Sequence, residues 1–165
     1  MNSDWANCER CGLSGLRRKV VWGIGPTPAR VLLIGEAPGT AEDMFGEPFI
    51  GPSGRLLRQA IGAEAVKQLF ITNLLGCRPC DTSGGPNRKP TREEVWACWP
   101  RLEEIHLQVQ PERVICLGEE AFKYCKQSFG GVIKVFHPAF ILRGGGTGSA
   151  FYPEWSQLLM EVLNV

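Results

Sequence analysis

Four cysteines frame the first hundred residues. Cys8 and Cys11 form a C-x-x-C near the N-terminus, and Cys77 and Cys98 flank a loop rich in Pro, Gly and Asn. In a chain that opens without a secretory pattern, paired cysteines are better metal ligands than disulfide partners. Two ligands from an N-terminal arm (residues 1–30) and two from one distant loop clip that arm onto the body of the protein. A donor set of thiolates alone suits zinc or an iron–sulfur cluster, and spacing does not choose between them. Pairing Cys77 with Cys80 as a second C-x-x-C gives a zinc-ribbon alternative. Cys116 falls in an apolar run and Cys125 in a helical pattern, which makes both packing residues. A second set of polar groups stands at the ends of apolar runs: Glu36 in GEAPG, Thr72 and Asn73 after LFI, and His137 with Pro138 after VIKVF.

Those runs are the elements that must position them. VLLIG from Val31, LFITN from Leu69, RVICLG from Arg113 and VIKVF from Val132 are β-branched-rich and almost wholly apolar. Such runs predict strands buried on both faces, hence a parallel sheet. Helical patterns alternate with them. SGRLLRQAIGA starts at Ser53 as N-cap. TREEVWACWPRLEEIHL opens with Thr91 and Glu94 in capping-box spacing, with Pro100 placed to kink or divide the helix. EEAFKYCKQS follows the third strand, and PEWSQLLMEVLN closes the chain with Pro153 in its first turn. The alternation implies right-handed βαβ units, a three-layer α/β/α sandwich on a four-stranded parallel sheet. Ligands of such sheets bind beyond the carboxyl ends of the strands. A carboxylate (Glu36), an amide (Asn73) and an imidazole (His137) therefore converge on one cleft, rimmed by two long Gly/Pro loops, residues 37–53 and 138–152.

A chain of 165 residues reads as one domain with a proper core. Its formal net charge of +1 gives no global footprint for a polyanion, so any such partner is held by local groups. The run Arg17, Arg18, Lys19 reads as a solvated face, and His106 as a surface or core histidine. No apolar run reaches membrane-spanning length, and MNSDWANCERCG has no targeting pattern, which points to a cytoplasmic protein; a monomer is expected.

GEAPGTAEDMFGEPFIGPSGRLL resembles the first motif of the family 4, iron–sulfur type, uracil-DNA glycosylases. ITNLLGCRPC with PNRKPTREEVWACWPRL is similar to their second block, and FHPAFILR to their HPS/HPA motif. With CERCGL the resemblance runs from Cys8 to Arg143. It implies a 4Fe-4S cluster on Cys8, Cys11, Cys77 and Cys98, with Cys80 a spare thiol where relatives carry proline. It also implies a monofunctional enzyme that flips uracil out of DNA and hydrolyses its N-glycosidic bond.

On that resemblance Ala37 and Pro38 border the base, Phe49 stacks on it, and Asn73 matches its N3–H and O4. Cytosine presents the reverse pattern and is rejected. His137 stabilises the departing base anion at O2. Glu36 positions water or balances an oxocarbenium-like sugar, with Glu42 and Asp43 as second candidates. Ser53, at the GPSG helix start, meets a phosphate. Phe140, Ile141 and Leu142 supply a wedge for the gap in the duplex, and Arg143 pairs with a phosphate. A shorter stretch before His137, the Gly-rich segment GGGTGSAFYPEW and a longer loop after CRPC all lie on the DNA-facing rim. They leave as alternatives a glycosylase for a modified or damaged pyrimidine, as in phage DNA or phage defence, and a non-catalytic DNA-binding relative.

Overall fold

Alternating side chains on four strands build two separate cores. The strands are Val31–Gly35 (β1), Leu69–Asn73 (β2), Arg113–Leu117 (β3) and Ile133–Val135 (β4). All pair in parallel, in the order β2-β1-β3-β4, in a computed structural model that describes residues 3–163. Because successive residues face opposite sides of a sheet, Leu32, Ile34, Phe70, Val114 and Cys116 fill one core. Val31, Leu33, Leu69, Ile71, Ile115, Leu117 and Val135 fill the other.

Eight helices lie on these faces among the described residues: Ser3–Ala6 (α1), Thr40–Phe45 (α2), Pro52–Ile61 (α3), Ala63–Val66 (α4), Arg92–Val109 (α5), Glu119–Cys125 (α6), Pro138–Arg143 (α7) and Tyr152–Leu163 (α8). The first core is closed by α5 and α6, through Val95, Trp99, Leu102, Ile105, Ala121 and Cys125, together with Leu13, Val20 and Trp22 of the N-terminal arm. The second is closed by Leu57 and Ile61 of α3, Ile141 of α7, and Trp155 and Leu159 of α8. The result is the expected three-layer α/β/α sandwich. The arm runs along the sheet edge, where Ile24 and Ile71 exchange antiparallel backbone bonds of 2.9 and 2.8 Å. Among the described residues no helix is long and apolar enough to cross a membrane.

Several local expectations are corrected. Gly51, not Ser53, caps α3, because Pro52 takes the first helical position, where its missing N–H costs nothing. Pro100 does not divide α5, which is continuous over 18 residues behind its Thr91–Glu94 capping box. The two rim segments read as loops hold α2 and α7, helices of six residues each, too short to show periodicity. The fourth strand starts at Ile133 rather than Val132. Asn164, expected in the last helix, and Met1 and Asn2 of the arm lie outside the described residues.

Candidate functional site

A cleft of about 710 Å3 opens at the carboxyl ends of the strands, where the topology places ligands. Its lining includes Ala37, Glu42, Phe49, Ser53, Asn73 and His137. Asn73 ends β2 and is 2 % exposed. Its side-chain oxygen and the Phe49 ring both press on Gly35, where any Cβ would collide with them. Phe49 holds a left-handed backbone, φ 55°, which a bulky residue adopts only under constraint. That constraint is visible on both sides: Arg58 Nε donates to its carbonyl at 3.2 Å, and Ile50 N–H is bound by Glu42 at 3.0 Å. The ring is thereby presented beside His137, with centroids 6.2 Å apart.

His137 caps α7: its Nδ1 accepts from Ala139 N–H at 3.1 Å. Burial, helped by the Arg143 charge, holds the imidazole well below its usual range, at about 4. The ring is therefore neutral at neutral pH, and the Nδ1 bond assigns its one proton to Nε2.

The two glutamates part company. Glu42 lines the cleft, with Oε1 accepting from Ile50 N–H (3.0 Å) and Gly51 N–H (2.8 Å) and Oε2 from Gly39 N–H (3.0 Å). Its carboxylate folds the segment 39–51 around itself and keeps one lone-pair direction on Oε2 unused by these bonds. Glu36 follows β1 as expected, yet its side chain is not among those lining the cleft. Burial first, and then the Glu120 charge, push its carboxyl above the usual range, against an opposing pull from Lys89. Convergence is thus observed for Asn73 and His137 and replaced, for the carboxylate, by Glu42. Pro38 is buried and also absent from the lining. Asp43 faces the arm, where its Oδ1 accepts from Arg18 N–H at 2.9 Å.

Several lining residues escaped the sequence reading, and one of them is polar and comes from a distant loop. Asn87, from the loop between Cys77 and Cys98, reaches the cleft mouth. Buried Arg78 donates to its Oδ1 at 2.5 Å and also to the Gly85 carbonyl, turning the amide nitrogen toward Gly39. A Cβ on Gly39 would lie 2.7 Å from Glu42 Oε2 and 3.6 Å from Asn87 Nδ2, so only a bare glycine lets the backbone pass this close to the Glu42 carboxylate. The PNRKP string held that signal in its chemistry, but nothing local tells that a polar loop residue folds back over a sheet.

On α7, Phe140 and Leu142 are exposed at 43 % and 38 %, and Arg143 is exposed. Ile141 is not available as a wedge: it is buried in the core beneath α3 and α8, on the opposite side of the helix. Phe140 stacks against Phe136 with centroids 5.3 Å apart.

The cysteines sort as the resemblance implies. Cys8, Cys11, Cys77 and Cys98 line one small cavity together with Leu13, Leu75 and Arg17, whereas Cys80 is not among its lining. Burial pushes the free Cys77 thiol up to about 12, and Cys11 upward too, with the neighbouring sulfurs adding to each shift. Four thiolates crowded there are costly unless a cationic centre neutralises them. Cys98 Sγ accepts from Gly76 N–H and from Arg101 Nε, both at 3.3 Å. The donor set and these bonds fit a thiolate-ligated cluster. Among the described residues no three His, Cys, Asp or Glu side chains are arranged around a single-ion position.

A family profile described as "Uracil DNA glycosylase superfamily" matches residues 22–159. A type-4 uracil-DNA glycosylase of Pyrobaculum aerophilum is 42% identical over 114 residues, 68% of this chain and 56% of that protein. A type-4 uracil-DNA glycosylase of Thermotoga maritima is 32% identical over 156 residues, 82% of this chain and 78% of that protein. The chain spans between 53% and 62% of the length of four curated archaeal relatives of that type. The crystal structure of WT Pedobacter heparinus SMUG2 shares the fold, with a TM-score of 0.58 at 20% identity over 83% of this chain and 77% of that one. By profile, identity and architecture, the chain belongs to the uracil DNA glycosylase superfamily, and within it to the type-4 group.

Proposed function

We propose that this protein hydrolyses the N-glycosidic bond of uracil in DNA and leaves an abasic site. The observation that carries the proposal is the joint presence in one cleft of Phe49, Asn73 and a neutral His137 bearing its proton on Nε2. A base inside a duplex is unreachable, so the nucleotide is flipped into the cleft. Phe49 stacks on the ring. The Asn73 amide offers both an acceptor for N3–H and a donor for O4. As the C1′–N1 bond breaks, the base leaves as an anion, and His137 Nε2–H donates to its O2. Water supplies the oxygen that ends on C1′. Glu42 and Asn87, which both line the cleft, are the polar groups assigned to that water, and the Glu42 charge favours a cationic sugar. Glu36, set back from the cleft, acts on neither in this reading.

Among the described residues no lysine lines the cleft to replace water: Lys89, the lysine of PNRKP, pairs with Glu120 at 3.8 Å. Ser53 and Arg143 are assigned to phosphates, and Phe140 with Leu142 to the gap that the flipped base leaves. Cys8, Cys11, Cys77 and Cys98 would hold a 4Fe-4S cluster, which supplies a fixed cross-link between arm and body and takes no part in the steps above.

The test is a panel of duplexes and single strands carrying uracil, cytosine, thymine and modified pyrimidines, scored for alkali-sensitive abasic sites. Uracil is the expected substrate. Release of a modified pyrimidine but not uracil would transfer the site to that class, and a borohydride-trapped adduct would replace water with an amine.

A further inference from the structure

Arg101 is a buried cation with no carboxylate partner among the described residues. It lies in the middle of α5, is 1% exposed, and spends the N–H groups of Nη1 and Nη2 on neutral acceptors that cannot neutralise it. Nη1 donates to the Trp22 carbonyl (2.9 Å) and Thr72 Oγ1 (3.3 Å), and lies 3.4 Å from the Val21 carbonyl. Nη2 donates to the Asn73 carbonyl (2.5 Å) and the Leu74 carbonyl (3.3 Å). Nε donates to Cys98 Sγ (3.3 Å). Among the described residues no Asp or Glu forms an ion pair with it. Gly76 makes room for the side chain, since a Cβ there would sit 2.9 Å from Arg101 Nε.

A fully buried guanidinium is stable only opposite an anion or a dense shell of acceptors, and even then its charge seeks a counter-charge. The sulfur is the only partner here able to carry one. Four thiolates outweigh the cationic iron–sulfide core they bind, so a ligated cluster is anionic as a whole. The same head group fixes the backbone of Asn73, whose side chain stands in the cleft. One planar fork therefore touches a cluster ligand on one edge and the base-reading strand end on the other.

We propose that Arg101 is the buried counter-charge of the thiolate cluster and the brace joining Cys98 to the Asn73–Leu74 backbone, a positioning residue through which the cleft depends on the cluster. The inference rests on the cluster reading above. Its test compares wild type, Arg101→Lys and Arg101→Met by iron content, visible absorption, cluster lifetime under ferricyanide and reduction potential.

Removing a positive charge beside the cluster disfavours its reduced state. Arg101→Met is therefore expected to lower the potential and to lose iron several-fold faster. Arg101→Lys keeps the charge, so its potential stays near that of wild type. A single ammonium cannot span Trp22, Asn73 and Leu74 together, so KM for uracil DNA is expected to rise several-fold in that variant.

Wild type carrying zinc or no iron would overturn both the cluster reading and this one. Wild type with iron, alongside an Arg101→Met protein of equal potential and lifetime, would overturn the Arg101 role alone. Should Arg101→Met fail to fold, wild type is stripped of iron by a chelator and followed by hydrogen exchange. Amides over residues 72–76 are then expected to exchange roughly tenfold faster or more; unchanged protection there would overturn the brace.

Discussion

His137 shows how a single backbone contact sets chemistry. Its Nδ1 is committed to Ala139 N–H, and burial disfavours the imidazolium. Protonation would set two donors face to face and place a charge in a largely buried position. The folded group titrates near 4, below the 6.5 of an unperturbed histidine, so its contribution to stability is fully present above pH 6.5. That contribution shrinks as pH falls from there and is lost through the folded value near 4. Single-turnover excision measured from pH 4 to 9 is accordingly expected to stay flat through pH 6.5 and to fall only toward pH 4, whereas Tm starts to decline below pH 6.5. A rate that halves near pH 6.5 would show a histidine that titrates normally and so is not held in this buried setting.

Asn73 offers a cleaner separation of roles at the same scale. Its backbone carbonyl serves Arg101 while its side chain serves the cleft. Asn73→Asp is expected to leave Tm within a few degrees. It should cut uracil excision by about 10²-fold or more, because a carboxylate offers the wrong donor–acceptor pattern to the base. Full activity in that variant would remove Asn73 from base recognition.

At the scale of elements, strands and capped helices were legible and rim geometry was not. The runs beginning at Val31, Leu69 and Arg113 announce themselves because both faces of each strand are buried. The Thr91–Glu94 box marks the start of α5 because its two hydrogen bonds are local. By contrast, α2 and α7 span six residues each and draw their stability from partners elsewhere. Which side of α7 faces solvent depends on α3 and α8, so Phe140, Ile141 and Leu142 looked equivalent until the core claimed Ile141.

That division is measurable. Ile141→Ala should cost about 2–5 kcal/mol in denaturant unfolding. Phe140→Ala should leave stability within about 0.5 kcal/mol and slow excision from duplex more than from single strands. The carboxylate at Glu42 was legible as a residue but not as a structural one, because its three donors lie up to nine positions away. Glu42→Ala leaves those N–H groups without their acceptor, at a cost of about 1–3 kcal/mol for each that stays buried. Glu42→Gln, which keeps one acceptor oxygen, should recover part of the lost stability.

At the scale of the whole molecule, the arm and the body meet in a cavity lined by Cys8, Cys11, Cys77 and Cys98, and a cluster there would join two parts of the chain that otherwise share edge hydrogen bonds and apolar packing. The cysteine set was visible in sequence only once the resemblance sorted Cys98 from Cys80; spacing had left both open. Folding places Cys80, 1% exposed, outside the cavity, with its Sγ toward the Arg78 carbonyl at 3.9 Å. The pair therefore provides an internal control. Cys80→Ala deletes one buried sulfur and should cost about 1 kcal/mol, with the cluster absorption and iron content unchanged. Cys98→Ala deletes a sulfur of similar size that is also a ligand and the acceptor for Gly76 and Arg101. Metal binding and folding draw on the same free energy, so its loss should remove iron and lower stability by about 3 kcal/mol or more, roughly 10 °C in Tm. Equal iron and equal Tm in the two variants would mean that Cys98 is no ligand and that packing and hydrogen bonds hold the arm without it.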